Sequence, residues 1–319
     1  MSSKKIITIF GATGNQGGSV VRIFLNDPKL KNDWAVRGVS RNAESDSAKK
    51  LTALGVEMVS ADLNDKASLV RAMKGAYAIF AVTNYWEKMD MQLDIDQGKN
   101  LADAAKENGV QHYVWSSLLN INKLTNGKLP HVYHFDSKAM VEDYVREIGL
   151  PATFVMPGFF MSNLPGGMFR ATPPDNEWTL ALPMPETAPI PLFDPEDMGA
   201  WVKAILLRRD GPGMLGRRVY AATAYLTPAE IVAQFREVFT EAGRGARFVS
   251  TPHGDFLEGL KGRGMPEFAA EETLENMRLI DEGGYYGGAS LEESHAILED
   301  KLTTWKEHMK KAKAFADLK

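Results

Sequence analysis

The chain has 319 residues, 44% of them hydrophobic, which is enough apolar material for a large core and sets a prior of two structural lobes at about 150 residues each. Its 37 basic and 41 acidic side chains leave a formal net charge of −4, and a mildly acidic chain without a long basic run argues against direct nucleic-acid binding. Zero cysteines exclude disulfides, thiolate zinc sites and cysteine nucleophiles, and no stretch approaches the roughly 18 uncharged apolar residues of a membrane span.

The N-terminal MSSKKIITIF passes from two lysines through a short apolar run straight into a glycine loop, and so reads as a first strand rather than a signal peptide. Strands are predicted at Lys5–Phe10, Ala35–Ser40, Glu57–Ser60, Tyr77–Val82, His112–Ser116 and Ala152–Met156. Helices are predicted between them at Gln16–Asn26, Asp46–Leu54, Lys66–Met73, Met91–Asn108 and Asp136–Ile148. Alternating strand and helix implies parallel strands joined by right-handed crossovers, a doubly wound α/β Rossmann fold. Its ligand crevice lies at the carboxyl ends of the strands, so the residues just after each strand carry the chemistry.

Residues 1–156 are expected to form this nucleotide-binding domain and 157–319 a smaller mixed lobe. After Pro157 the texture changes, and Pro165–Pro195 is rich in proline and glycine with few periodic runs. A strand at Arg217–Ala222 could return to the sheet. Thr227-Pro228-Ala229-Glu230 is a capping box with proline at the first helical position. Ser290-Leu291-Glu292-Glu293 is expected to open a further helix running to the lysine-rich end, where Lys310, Lys311 and Lys313 favour the helix dipole.

The first loop reads Gly11-Ala12-Thr13-Gly14-Asn15-Gln16-Gly17, a GxxGxxG spacing between strand and helix. Glycines there permit a tight turn and let backbone amides approach a pyrophosphate at the helix N-terminus. The second strand ends at Ser40-Arg41 with no acid. A carboxylate at that point suits the ribose 2′-hydroxyl of NAD, whereas a guanidinium matches a 2′-phosphate, so NADP is favoured over NAD. Asp62, ending the third strand, either borders the adenine or caps the next helix. Thr83 and Asn84, ending the fourth, lie where a cofactor's diphosphate or ribose would pass.

In short-chain dehydrogenases a serine ending the fifth strand works with Tyr-x-x-x-Lys on the next helix, the lysine lowering the tyrosine pKa for proton transfer. Here the strand ends at Ser116-Ser117 and the helix opens Tyr133-His134-Phe135-Asp136-Ser137-Lys138. Lys138 has the right place, but His134 stands where the tyrosine belongs, and Tyr133 is about 100° around the helix. Two roles stay open: Lys138 as a binder of the nicotinamide ribose beside an ordinary polar His134, or Lys138 and His134 as an acid–base pair. The remaining histidines show no metal-like spacing with carboxylates.

Together these residues resemble the NmrA-like family, an atypical branch of the short-chain dehydrogenases, and especially its redox-sensor members of the HSCARG type. The resemblance lies in FGATGNQGGSVVR (Phe10–Arg22), VTNYWE (Val82–Glu87), QGKNLADAAK (Gln97–Lys106), HYVWSSLLNINKLTNGKL (His112–Leu129) and HFDSKAMVEDYVREIGLPATFV (His134–Val155). It implies an NADP(H)-binding Rossmann fold whose members sense the NADPH/NADP ratio and bind protein partners, transcription factors among them. It places cofactor roles on the Gly11–Gly17 loop (Gly11, Thr13, Gly14, Asn15, Gln16, Gly17), Arg41, Asp62, Thr83, Asn84, Tyr85, Lys138, Phe159, Phe160 and Met161. Such members carry a cofactor-touching lysine just before Gln-Gly-Lys, where this chain has Asp96.

Two functions follow as expectations. The first is a regulator in which NADP(H) occupancy alters affinity for a protein partner, with little turnover, in the cytoplasm and with the nucleus as a second compartment. The second is an NADPH-dependent reductase of a small carbonyl, enone or quinone, with Lys138 assisting proton transfer. Neither calls for a metal, nucleic acid or a membrane, and a homodimer is left open.

Overall fold

The computed structural model describes residues 4–173 and 175–318. The first half alternates as expected: β1 (Lys5–Phe10), α1 (Asn15–Asn26), β2 (Trp34–Ser40), α2 (Asp46–Ala53), β3 (Glu57–Ser60), α3 (Lys66–Ala72), β4 (Ala78–Ala81), α4 (Met91–Glu107), β5 (His112–Ser116), a short α5 (Ile121–Leu124), α6 (Tyr133–Glu147) and β6 (Ala152–Pro157). The second half adds β7 (Phe159–Phe160), β8 (Phe169–Thr172), β9 (Glu177–Leu182), β10 (Ile190–Phe193), α7 (Met198–Leu207), β11 (Arg218–Ala221) and β12 (Ala224–Leu226). It ends with α8 (Pro228–Val238), β13 (Arg247–Ser250), α9 (His253–Lys261), α10 (Glu267–Glu282), α11 (Glu292–His295) and α12 (Trp305–Lys311).

Seven strands form one parallel sheet in the order β11-β6-β5-β4-β1-β2-β3. The strand order reverses between β1 and β4, which opens a crevice at their carboxyl ends. The predicted return of a late strand is realised, with Val219 opposite Val155 in the β11–β6 register.

Period-two alternation assigns each side chain to a face. Along β4, Phe80 joins Val20, Val21 and Phe24 of α1 and Trp201 of α7 in one layer. Its neighbours Ile79 and Ala81 join Leu69 of α3, Leu101 of α4 and Val141 of α6 in the other. Both faces are therefore covered, as a parallel sheet requires. A separate core gathers β7–β10, α8, α10 and α12, with Phe169 and Phe235 ring centroids 4.5 Å apart.

Three strands lie in the proline- and glycine-rich segment that showed few periodic runs. β8 and β9 pair antiparallel, and β10 pairs with β7 and β12. They are only four to six residues long, too short for alternation to stand out among the surrounding prolines.

The helix expected from Ser290 to the lysine-rich end is corrected. α11 stops after four residues at His295, and the chain turns so that Ile297 and Leu302 reach the core. A second capping box, Thr304 with Glu307, then starts α12 afresh. Among the described residues no helix is long and apolar enough to cross a membrane.

Asp197, at the start of α7, accepts hydrogen bonds from the Thr303 backbone N–H at 2.7 Å and hydroxyl at 3.0 Å. Burial pushes its carboxyl up to about 6 against the relief those bonds give. Between the ordinary value of 3.8 and about 6, the folded state holds a proton the unfolded chain has released. Stability therefore falls as pH rises through that window, by about 2–3 kcal/mol at about 1.4 kcal/mol per unit. Asp197→Asn, which removes the charge, is expected to exceed the parent in urea unfolding above pH 6 and to match it near pH 4. An equal gain at both pH values would contradict this origin.

Candidate functional site

The crevice at the carboxyl ends of β1–β4 has a volume of about 860 Å³. Its floor is the glycine loop. Gly11 has φ +63°, the left-handed region where a side chain is strained. Gly17 is required by contact, because a Cβ there would lie 2.2 Å from the Gly11 carbonyl oxygen. Gly14 caps α1 without any side-chain hydrogen bond, so the first amides of that helix face the crevice unsatisfied by a cap. That is the donor set an anionic diphosphate needs. Ser116, buried at the end of β5, donates to Gln16 Oε1 at 2.9 Å and fastens the loop to the sheet.

Gly11, Thr13, Gly14, Asn15, Gln16, Gly17, Arg41, Asp62, Thr83, Asn84, Tyr85 and Phe160 all line this one crevice. Phe159 and Met161 do not; they alternate with Phe160 and are buried in the second core. Asp62 is freed from capping: Asp65 caps α3 by accepting from Ala67 and Ser68 N–H, while Asp62 accepts from Asn64 at the crevice edge. Ser40 also lines the crevice, and its hydroxyl is buried without a hydrogen-bond partner. Arg41 is largely exposed and forms a 2.5 Å ion pair with Glu87 from the turn after β4.

Lys138 is buried beneath the crevice wall. Its ammonium donates to Thr83 Oγ1 at 2.7 Å and to both Asp94 oxygens at 2.9 and 2.7 Å. Asp94 also accepts from Ser137 Oγ at 2.7 Å. Burial lowers the Lys138 pKa below the usual lysine range, and the Asp94 carboxylate opposes that fall. Lys138 thus reaches the site through Thr83, not as a free ammonium.

Helix α6 begins at Tyr133, three residues earlier than expected, so His134 and Lys138 are true i and i+4 neighbours. His134 is nevertheless held elsewhere. The fully buried Glu272 of α10 accepts from the His134 backbone N–H at 2.8 Å and pairs with its Nδ1 at 2.6 Å. The other Glu272 oxygen accepts from the Tyr85 hydroxyl at 2.6 Å. Burial and the Glu272 carboxylate raise the Tyr85 pKa far above the phenol range. One turn along α10, Glu275 binds His131 through its backbone N–H and Nδ1, both at 2.7 Å. Ser117, the other serine after β5, donates to buried Glu142 at 2.7 Å and serves the sheet edge instead.

Sequence reasoning missed Asp94, Glu87 and Glu272. Asp94 left a signal: it sits on the inward stripe of α4 with Ile95, Gly98, Leu101 and Ala102, where a carboxylate needs a buried partner. Glu272 left none, since its partners lie 138 and 187 residues away.

A model of the NmrA-like family matches residues 3–309. The chain is 32% identical over 308 residues to the NmrA-like family domain-containing oxidoreductase cpsB of Aspergillus campestris, spanning 90% of this chain and 86% of that one. It is 31% identical over 302 residues to the oxidoreductase lnaB of Aspergillus flavus, spanning 89% and 86%. Among solved structures, NmrA, described as a negative transcriptional regulator, in complex with NADP superposes with a TM-score of 0.75 at 24% identity over 96% of this chain and 95% of that one. The NADPH-dependent quinone oxidoreductase QOR2 of Escherichia coli gives 0.74 at 19% identity over 95% and 98%. The structural likenesses bear on the fold, and the sequence matches decide the family. On the glycine loop, the seven-stranded sheet and a match along nearly its whole length, the chain belongs to the NmrA-like family.

Proposed function

We propose that the crevice binds NADP(H) and that the protein acts as a redox sensor, coupling the NADPH/NADP level to the binding of a protein partner such as a transcription regulator. The residues present fit the dinucleotide. The uncapped α1 amides and the Gly11–Gly17 loop suit its pyrophosphate, Arg41 its 2′-phosphate, Asp62 and the unpartnered Ser40 hydroxyl its adenosine end. Thr83, Asn84 and Tyr85 line the rest, with Lys138 and Asp94 fixing Thr83 from behind. When bound, such a cofactor supplies a hydride or accepts one.

The observation that carries the sensor reading is Glu272. One buried carboxylate of α10 binds Tyr85 in the crevice wall and His134 at the start of α6. A ligand that displaces Tyr85 must therefore alter the seat of α10. It shifts the balance between two arrangements only by its differential affinity for them. Buried carboxylates hold both of the groups nearest to proton-transfer duty. His134 Nδ1 is engaged by Glu272, and the Lys138 ammonium is paired with Asp94.

A reductase is the second reading, supported by the oxidoreductase names of cpsB and lnaB and by the placement of Lys138. NADPH oxidation across a panel of carbonyls and quinones, run beside partner capture with and without NADP+, separates the two. The sensor reading expects negligible turnover and cofactor-dependent capture. Robust turnover lost in Lys138→Ala would overturn it in favour of the reductase.

A further inference from the structure

We infer that Glu87 sets the cofactor preference of this crevice by competing with a 2′-phosphate for Arg41. The inference rests on the reading that the crevice holds NADP(H). Its lining carries two cations, Arg41 and Lys88, and four carboxylates, Asp62, Glu87, Asp90 and Asp94. Three of the carboxylates have other work. Asp94 neutralises Lys138, Asp90 caps α4 by accepting from the Leu93 N–H, and Asp62 holds Asn64. Among the described residues the Glu87 side chain has one partner, Arg41, and Arg41 has one partner, Glu87.

The geometry sets the two ligands in competition. A phosphate is bound best by a guanidinium fork offering two parallel N–H donors. In this structure the Arg41 Nη1 already points at Glu87 Oε1, 2.5 Å away, from strand end to the turn across the crevice. A 2′-phosphate either draws Arg41 off that carboxylate or takes the Nη2 and Nε edge, and in both cases it sits near the like charge of Glu87. NAD(H), which brings only a ribose hydroxyl, leaves the pair intact. The pair is open to solvent, at 72% and 37% side-chain exposure, so it is weak enough to yield. Arg41 favours NADP(H), and Glu87 holds that preference down.

Calorimetric titration of NADP+ and NAD+ into the parent and Glu87→Gln proteins tests this. The substitution is conservative in shape and lies at an exposed position, so folding is not at stake. Breaking an exposed pair accounts for up to about fivefold, and relief of like-charge repulsion adds to it. Glu87→Gln is therefore expected to tighten NADP+ about threefold to tenfold while NAD+ changes by less than about twofold. Equal tightening of both would reduce Glu87 to a diffuse field effect, and weaker NADP+ binding would make it a support that orients Arg41; either outcome overturns the proposal. A parent protein that binds neither dinucleotide would instead defeat the reading of the crevice itself.

Discussion

Gly17→Val is expected to weaken dinucleotide binding by at least about a hundredfold, an affinity loss of about 2.7 kcal/mol or more. The added Cβ would lie 2.2 Å from the Gly11 carbonyl oxygen and 2.5 Å from its carbon, both backbone atoms that cannot swing aside. Relief requires the loop to separate from α1, and the helix amides then no longer converge on the pyrophosphate. Overpacking of this kind costs about 1–3 kcal/mol of stability, little enough that the protein should still fold. Gly14→Ala is the control, because its Cβ meets the same oxygen at 3.3 Å, where a small adjustment suffices. Calorimetry should find the alanine variant within about tenfold of the parent. Equal losses from both changes would show that crowding against Gly11 is not the cause.

Asp94→Leu carries the largest expected effect on stability. It leaves the buried Lys138 ammonium with Thr83 as its remaining partner, and removing one member of a buried pair costs about 3–5 kcal/mol. Burial already lowers the Lys138 pKa, and without Asp94 nothing opposes the fall. The unfolded chain then binds the proton more readily than the folded one, so stability rises with pH toward the ordinary lysine value of 10.5. The deficit of Asp94→Leu in urea unfolding should accordingly shrink between pH 7 and pH 10. Adding Lys138→Met should restore most of the loss, because an apolar pair of similar size replaces the charges. A double variant no more stable than Asp94→Leu would mean that the two residues do not act as a pair.

The nucleotide-binding half was legible because its signals are local. Glycine spacing, strand runs and helical stripes are each read within about a dozen residues, and they placed the crevice and ten of its lining residues, while the family resemblance added Tyr85 and Phe160. Arg41 was readable as a candidate phosphate ligand from its place at a strand end, but its counter-ion was not. Glu87 comes from a different crossover, 46 residues on. The same limit hid Glu272. A glutamate in an amphipathic helix reads as a solvated face, and only the packing of α10 against α6 buries it. Tyr133 lies one residue off the register of the usual tyrosine, as its spacing indicated, and the early start of α6 puts His134 on the face of Lys138. In the second half the short strands and the break between α11 and α12 depend on the core they join, not on their own periodicity.

One buried carboxylate, Glu272, is expected to pass the state of the crevice to α10. Amide hydrogen exchange, followed with and without NADP+ in the parent and in Glu272→Gln, measures this directly. In the parent, the cofactor should alter exchange both in Thr83–Lys88 and in α10 over Glu267–Glu282. In Glu272→Gln the crevice segment should still respond while α10 responds much less. An α10 indifferent to NADP+ in the parent, with the crevice clearly protected, would contradict the account.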